Sequence, residues 1–439
     1  MLSIINPHAA GIDIGDTVHA VAVPPSAADV PVRIFGTMTC DLTGISKWLN
    51  ECEINTVAME STGVYWKPLF SHLVREGFEV LLVNARNVKN VSGRKTDESD
   101  AAWLQKLHSC GLLSSSYLPG DEQEALRTLI RFRKTLVSDS SRCVLRMQKS
   151  LELMNIKIHT VISDITGQTG TAIVEAILAG ERNAESFLPL ISKRIKADKD
   201  TIMKSLEGTW RTEHLFTLGQ SYDLYRYYKA RIEACDKQVE QQLCNYEALR
   251  NEGEVKTGDK DIAKRQTKKA KHKNSPRFNV RGYLHGILKV DVMAIPGLSE
   301  IAGLQILAET GTDMSKWATE KHFVSWLNLC PNNKLSGGKL ISSHVMKGRP
   351  SIAGQAFRAM ANAVQRSDHW LGDYFRRMKA KGGNKYAIVA TANKIATIYY
   401  KMVSTGSEYS PPNLEDYQNK RKEHKIKYLE RMLHHLRTM

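Results

Sequence analysis

The chain has 439 residues, 42% hydrophobic and 25% charged, the mix of a soluble globular protein with room for two or three ordinary cores. No apolar run approaches the roughly 18–20 residues of a membrane span. The start carries no basic stretch followed by an apolar one, which predicts no secretory signal. Seven scattered cysteines with no Cys-x-x-Cys pair exclude a disulfide frame and a zinc knuckle.

Lys and Arg number 62 against 46 Asp and Glu, a net charge of +16 that suits a polyanionic partner. Residues 1–115 alternate strand and helix signals. Gly11 to Ile14 opens a strand, Gly15-Asp16 turns, and Val18 to Val23 returns as its hairpin partner. Asp41 to Leu49 reads as a helix with Asp41 as its N-cap. Thr56 to Glu60 and Glu79 to Asn84 are short strands of buried type, with a helix over Pro68 to Arg75 between them. A basic loop, Arg86 to Lys95, leads into a helix starting near Asp97. Strands paired first as a hairpin and then interleaved with helices predict a mixed-sheet α/β domain.

Residues 120–250 read as helical throughout. Leu126, Leu129, Leu136, Cys143, Met147 and Met154 fall on heptad a/d positions, interrupted by Arg133, Ser140 and Ser150. Tyr225, Tyr228, Ile232, Cys235, Val239 and Tyr246 form a second seam, with Gln242 as its flaw. Such helices pair as an antiparallel coiled coil, dimerise, or serve as core stripes of a helical domain. Between Lys256 and Lys289 stand 11 Lys or Arg and two acids, a nucleic-acid surface or a solvated linker. Residues 286–405 read as a second, mainly helical domain. A basic amphipathic helix with Ile426, Leu429, Leu433 and Leu436 on its stripe closes the chain. The predicted divisions are 1–118, 119–255, 256–285, 286–409 and 410–439. Two glycine turns, at Ile165 to Gly170 and Ile295 to Gly303, have the shape of helix-hairpin-helix phosphate contacts or of plain helix connections.

Four carboxylates carry the chemistry. Asp13 lies mid-strand among apolar residues, Glu60 ends an apolar strand, and Asp97 and Asp100 share a helix face at i, i+3. A charge placed after apolar strand residues is costly without a partner. A set of this kind can hold two divalent metals for phosphoryl transfer, and hard oxygen donors favour Mg2+. Taken singly, Asp97 is an ordinary helix cap and Glu60 an ordinary surface residue.

Gly11-Ile12-Asp13-Ile14-Gly15, Met59-Glu60-Ser61-Thr62-Gly63-Val64-Tyr65, Asn84 through Val91, and Gly93 through Asp97 to Asp100-Ala101 resemble the DEDD transposases of the insertion-sequence-110 family. The resemblance continues through Trp210 to Phe216, Ile295 to Leu298 and Ser336-Gly337-Gly338-Lys339, and the long helical middle looks like the family's larger subgroup. It implies a RuvC-like, ribonuclease-H-type N-terminal fold with Asp13, Glu60, Asp97 and Asp100 as the metal tetrad. It also implies a C-terminal transposase domain with Ser336 as nucleophile. As a bare residue Ser336 is a turn serine, and a serine hydroxyl attacks only when activated, here by the tetrad if the two domains meet over DNA. Covalent attack conserves the phosphodiester bond energy, in keeping with the absence of a nucleotide-binding P-loop.

Further expectations follow from that resemblance. The partners are donor and target DNA and a bridge RNA, with the enzyme a homo-oligomer, dimer or tetramer, in the bacterial cytoplasm at the nucleoid and away from membranes. The expected nucleic-acid contacts are Arg86, Lys89, Arg94, Lys95, Lys264, Arg265, Lys268, Lys269, Gly297, Lys339 and Arg358. Arg358 departs from the family pattern in spacing, and the Asn that usually precedes it is missing. The competing readings are a structure-selective RuvC-like nuclease, which needs the tetrad but not Ser336, and a non-catalytic nucleic-acid-binding protein.

Overall fold

The computed structural model describes residues 3–61, 63–83, 97–113, 118–250, 273–345 and 351–437. The chain divides into two compact units, Met1–Leu118 and Pro119–Met439. The first is a mixed sheet with helices on both faces. Its strands are β1 (Ala9–Ile14), β2 (Val18–Ala22), β3 (Val32–Gly36), β4 (Thr56–Glu60) and β5 (Glu79–Val83), in the order β3-β2-β1-β4-β5. β1 pairs antiparallel with β2 and parallel with β4, and β4 is parallel to β5.

The period-two pattern of the strands sorts the faces. Ile12, Ile14, Val21, Val57 and Met59 turn to one side and form a core with Leu42, Ile45 and Leu49 of α1 (Thr39–Glu51) and Leu69 and Leu73 of α2 (Trp66–Arg75). The other face is lined by small residues. There Ala20 and Ala22 meet Ala101 of α3 (Asp97–Ser109).

One reading of this unit needs correction, and one strand adds to it. Asp41 is not the N-cap of α1; that place is Met38, and the Asp41 carboxylate accepts the Met38 N–H from one turn inside, at 3.0 Å. β3 is a further strand, an edge strand with a half-exposed pattern and therefore without the apolar signature of its neighbours.

The second unit is mainly helical. α4 (Asp121–Leu153) and α7 (Thr212–Arg250) pair antiparallel within the chain: Gln242 donates to Glu122, Cys235 lies on the Leu129 carbonyl, and Ser150 bonds Thr217. Polar flaws in the heptad seams thus find polar partners on the facing helix, Gln242 on Glu122 and Ser150 on Thr217. Arg133, 5% exposed, forms a two-pronged ion pair with Asp236 and donates to the Asn274 carbonyl at 2.8 Å.

The stretch 154–211 is not continuous helix. It holds only α5 (Gln168–Leu178) and α6 (Lys199–Leu206) with two short 3-10 turns, one around Pro189. Its core of Met154, Ile165, Ile173 and Phe187 packs on Met147 and Leu218, at one end of the long pair.

The other end of the pair joins the C-terminal core. This contains α8 (Val280–Leu288), α9 (Glu300–Thr310), α10 (Glu320–Trp326), α11 (Ile352–Val364) and α12 (Trp370–Thr405), the last broken at Gly382 and Gly383. Buried Glu309 of α9 takes a bidentate pair from Arg131 of α4. Phe278, Val280, Tyr283 and Leu284, within the expected basic linker, belong to this core. A two-stranded ribbon, β6 (Asn332–Ser336) and β7 (Lys339–His344), interrupts the helices. The terminal helix α13 (Leu414–Arg437) leaves Ile426, Leu429 and Leu433 exposed. Among the described residues no helix is long and apolar enough to cross a membrane.

Candidate active site

The register of β1 and β4 sets the carboxylates. Ala9 faces Thr56, Gly11 faces Ala58 and Ile12 faces Met59, so Asp13 and Glu60 are the next matched positions of two parallel strands. Matched residues of adjacent strands share a face and stand about 5 Å apart. Both carboxylates lie on the small-residue face, at the carboxyl ends of their strands, and both are half-buried.

α3 crosses that same face, running opposite to β1. A methyl group on Gly11 would lie 2.2 Å from the Gln105 nitrogen and 2.5 Å from the Ala101 carbonyl, so only glycine lets the helix sit this close. Gln105 donates to the Ala9 carbonyl at 3.2 Å and to Ser109 at 2.8 Å. His108 bonds Thr56 at 2.9 Å, and burial pushes its pKa down. Ala101 and Gln105, one turn apart on α3, therefore lie along β1, and His108 lies on β4.

From His108 on Thr56, α3 runs back toward its N-terminus, where it carries Asp100. Asp97 is described only as the first residue of α3. Among the described residues no three His, Cys, Asp or Glu side chains form a metal-holding group.

Ser336 ends β6. Gly337 and Gly338, with φ of 54° and 75°, make the two-residue turn, and Ser336 pairs with Lys339 across it. Two successive positive φ values define the turn type that matches the twist of a hairpin and that Gly-Gly favours. All of β6 is exposed, and nothing lies within 4 Å of where a side chain at either glycine would begin. The strand signal was present in Leu335-Ser336-Gly337-Gly338-Lys339-Leu340, but without a buried face it reads as a turn alone.

The ribbon's root is fixed by residues whose part sequence did not disclose. Arg358 of α11 donates to the Asn328 carbonyl at 2.8 Å, and Asn393 of α12 donates to the Leu329 carbonyl at 3.1 Å. Arg358, an expected nucleic-acid contact, thus holds protein backbone. Gly297, another, has φ of 86°, and a methyl group there would meet the Met360 carbonyl at 2.8 Å, so its turn packs on α11. Lys339 is exposed beside Ser336. Arg86, Lys89, Arg94, Lys95, Lys264, Arg265, Lys268 and Lys269 lie outside the described residues.

A family model for IS110-type DEDD transposases, described as Transposase, matches residues 10–156, and a second, described as Transposase IS116/IS110/IS902 family, matches residues 291–376. The two follow one another and together take in just over half of the chain. No curated protein matches it. The molecule is a DNA-processing enzyme whose substrates are DNA. It belongs to the IS110-family DEDD transposases, and that membership implies dependence on a divalent metal ion.

Proposed function

We propose that the chain is a site-specific recombinase that cuts and rejoins the ends of its mobile element by serine attack on DNA. What supports this reading is the register that makes Asp13 and Glu60 matched neighbours on parallel strands, with α3, the helix that carries Asp97 and Asp100, packed across the same face of the sheet. Four carboxylates are a hard-oxygen donor set, so they fit Mg2+, and one or two such ions would be held by Asp13, Glu60, Asp97 and Asp100. When bound, the metal supplies charge stabilisation to the phosphate oxygens of the reaction.

The rest falls to the chain's own groups. Ser336 Oγ forms a bond to phosphorus as the bond from phosphorus to one sugar oxygen breaks. The serine proton leaves to solvent, and the departing sugar oxygen takes up a proton. The phosphoserine ester keeps the bond energy, and attack by a second sugar hydroxyl on phosphorus releases Ser336 and joins the strands. Lys339, paired with Ser336, balances phosphate charge, and the glycine turn lets the backbone of DNA come close. The basic segment 256–285 supports binding of a guide RNA, which would choose donor and target. A dimer or tetramer would act on the two DNAs together.

The test is a denaturing gel of protein with element-end DNA and Mg2+, followed by peptide mass spectrometry of any adduct. The expected result is a covalent adduct at Ser336 that is lost in Ser336→Ala while DNA binding persists. Cleavage at the wild-type rate by Ser336→Ala, with free phosphate ends and no linked peptide, would leave only the simple nuclease.

A further inference from the structure

The β6–β7 ribbon exposes three large aliphatic side chains close to its tip, Leu335 at 67%, Leu340 at 57% and Ile341 at 67%. Single exposed apolar residues need no explanation, but three together on a thin ribbon do. Leu335 and Leu340 are direct cross-strand partners and share a face. Ile341 is the extra residue of a bulge beside them, since Lys334 pairs with Ser342. The next pair, Ser336 with Lys339, turns to the opposite face.

The ribbon's chemistry selects its partner. From Asn332 to Val345 there is no Asp or Glu; Lys334 and Lys339 supply positive charge, and Asn332, Asn333, Ser342 and Ser343 supply neutral hydrogen-bonding groups. A second copy would bring the same lysines against these. Duplex DNA is a polyanion with an apolar interior, its base faces. It therefore matches both halves of this surface.

We infer that the ribbon is a DNA-distorting arm. Leu335, Leu340 and Ile341 press into a base step of the duplex and partly unstack it, while Lys334 and Lys339 hold the flanking phosphates. The inference rests on the transposase reading of the C-terminal domain: a serine that attacks a phosphate necessarily brings its chain neighbours Leu335 and Gly337 against the same DNA. The Arg358 and Asn393 bonds tie the chain just before β6 to the helical core.

The experiment compares binding of the full-length protein to a short duplex and to the same duplex opened by a small mismatch bubble, each carrying 2-aminopurine beside the opened step. Wild type is expected to prefer the bubble by roughly tenfold, because an opened step need not be unstacked, and to raise 2-aminopurine emission on the intact duplex. L335S/L340S/I341S, whose altered side chains are all exposed, keeps its thermal midpoint but brings the preference to about one and abolishes the emission change. K334Q/K339Q weakens both DNAs alike. A wild-type preference of one overturns the inference. So does an unchanged preference in the triple variant, including the case where sedimentation shows altered self-association, which gives the face to a second copy. Loss of the preference in the triple variant without any Ser336 adduct in wild type leaves the wedge standing and removes the serine.

Discussion

Asp13 and Glu60 sit on central strands hydrogen-bonded on both sides, with a helix laid across their face, whereas Ser336 sits on a two-stranded ribbon whose first strand is exposed at every residue. The first arrangement fixes side chains by register and by that helix. The second fixes only the root and leaves the tip to be completed by what it touches. Groups that must stay a fixed distance apart gain from a sheet, and a group that must enter a nucleic-acid groove gains from an arm.

The largest effect is expected where the sheet is disarmed without being unfolded. Asp13→Asn, Glu60→Gln or Asp100→Asn should each lower Mg2+-dependent strand cutting about a thousandfold or more, since a missing carboxylate removes several kcal/mol of charge stabilisation. Thermal melts should stay near wild type, and a variant that recombines normally would remove that carboxylate from the site.

Next comes the unit that carries the ribbon. Arg133→Met strands the buried Asp236 carboxylate and should cost about 3–5 kcal/mol. Calorimetry should show the helical unit melting earlier and the sheet unit unchanged, and Arg133→Met/Asp236→Leu should recover most of the loss.

Two glycine substitutions then weigh the two regions directly. Gly11→Ala drives a methyl group into α3 backbone and should cost about 1–3 kcal/mol together with cutting. Gly337→Ala meets no atom and strains only the turn. It should leave the melt nearly untouched while slowing adduct formation. Equal melts for the two variants would erase the contrast.

The smallest effect is pH-dependent. Burial lowers the pKa of His19 and His108 in the sheet unit, and of His369 in the helical unit. The folded state favours neutral imidazole. Stability is therefore full above the unfolded value near 6.5 and falls as pH drops below it. Below pH 6.5 the sheet unit should lose stability, measured as a fall in its melting midpoint, and His108→Gln should reduce the loss.

These regions also differ in how far sequence discloses them. β1 and β4 announce themselves because burial on both faces makes most of their residues apolar, and β5 by its run Val80 to Val83. The spacing of Asp97 and Asp100 announces a helix face. What remains hidden is the pairing of Ile12 with Met59, which makes Asp13 and Glu60 neighbours, and of His108 with Thr56, which lays α3 across their face; both exist only across the chain. The ribbon was legible as a glycine turn but not as strands, because strands are recognised by a buried face and these have none. The heptad seams were legible, yet their polar interruptions made sense only once Arg133 met Asp236 and Gln242 met Glu122.

That helix pair has a metric consequence. At 33 residues, α4 spans about 50 Å, the rise of roughly fifteen base pairs. One of its ends is built into the core around Phe187 and the other into the core around Phe323. The separation between those two bodies is counted in helical turns and cannot drift, since sliding α4 against α7 by one heptad would take Arg133 away from its acid. The pair is a calibrated strut, and adding one heptad to each helix at matched positions would lengthen it by about 10 Å with both cores intact.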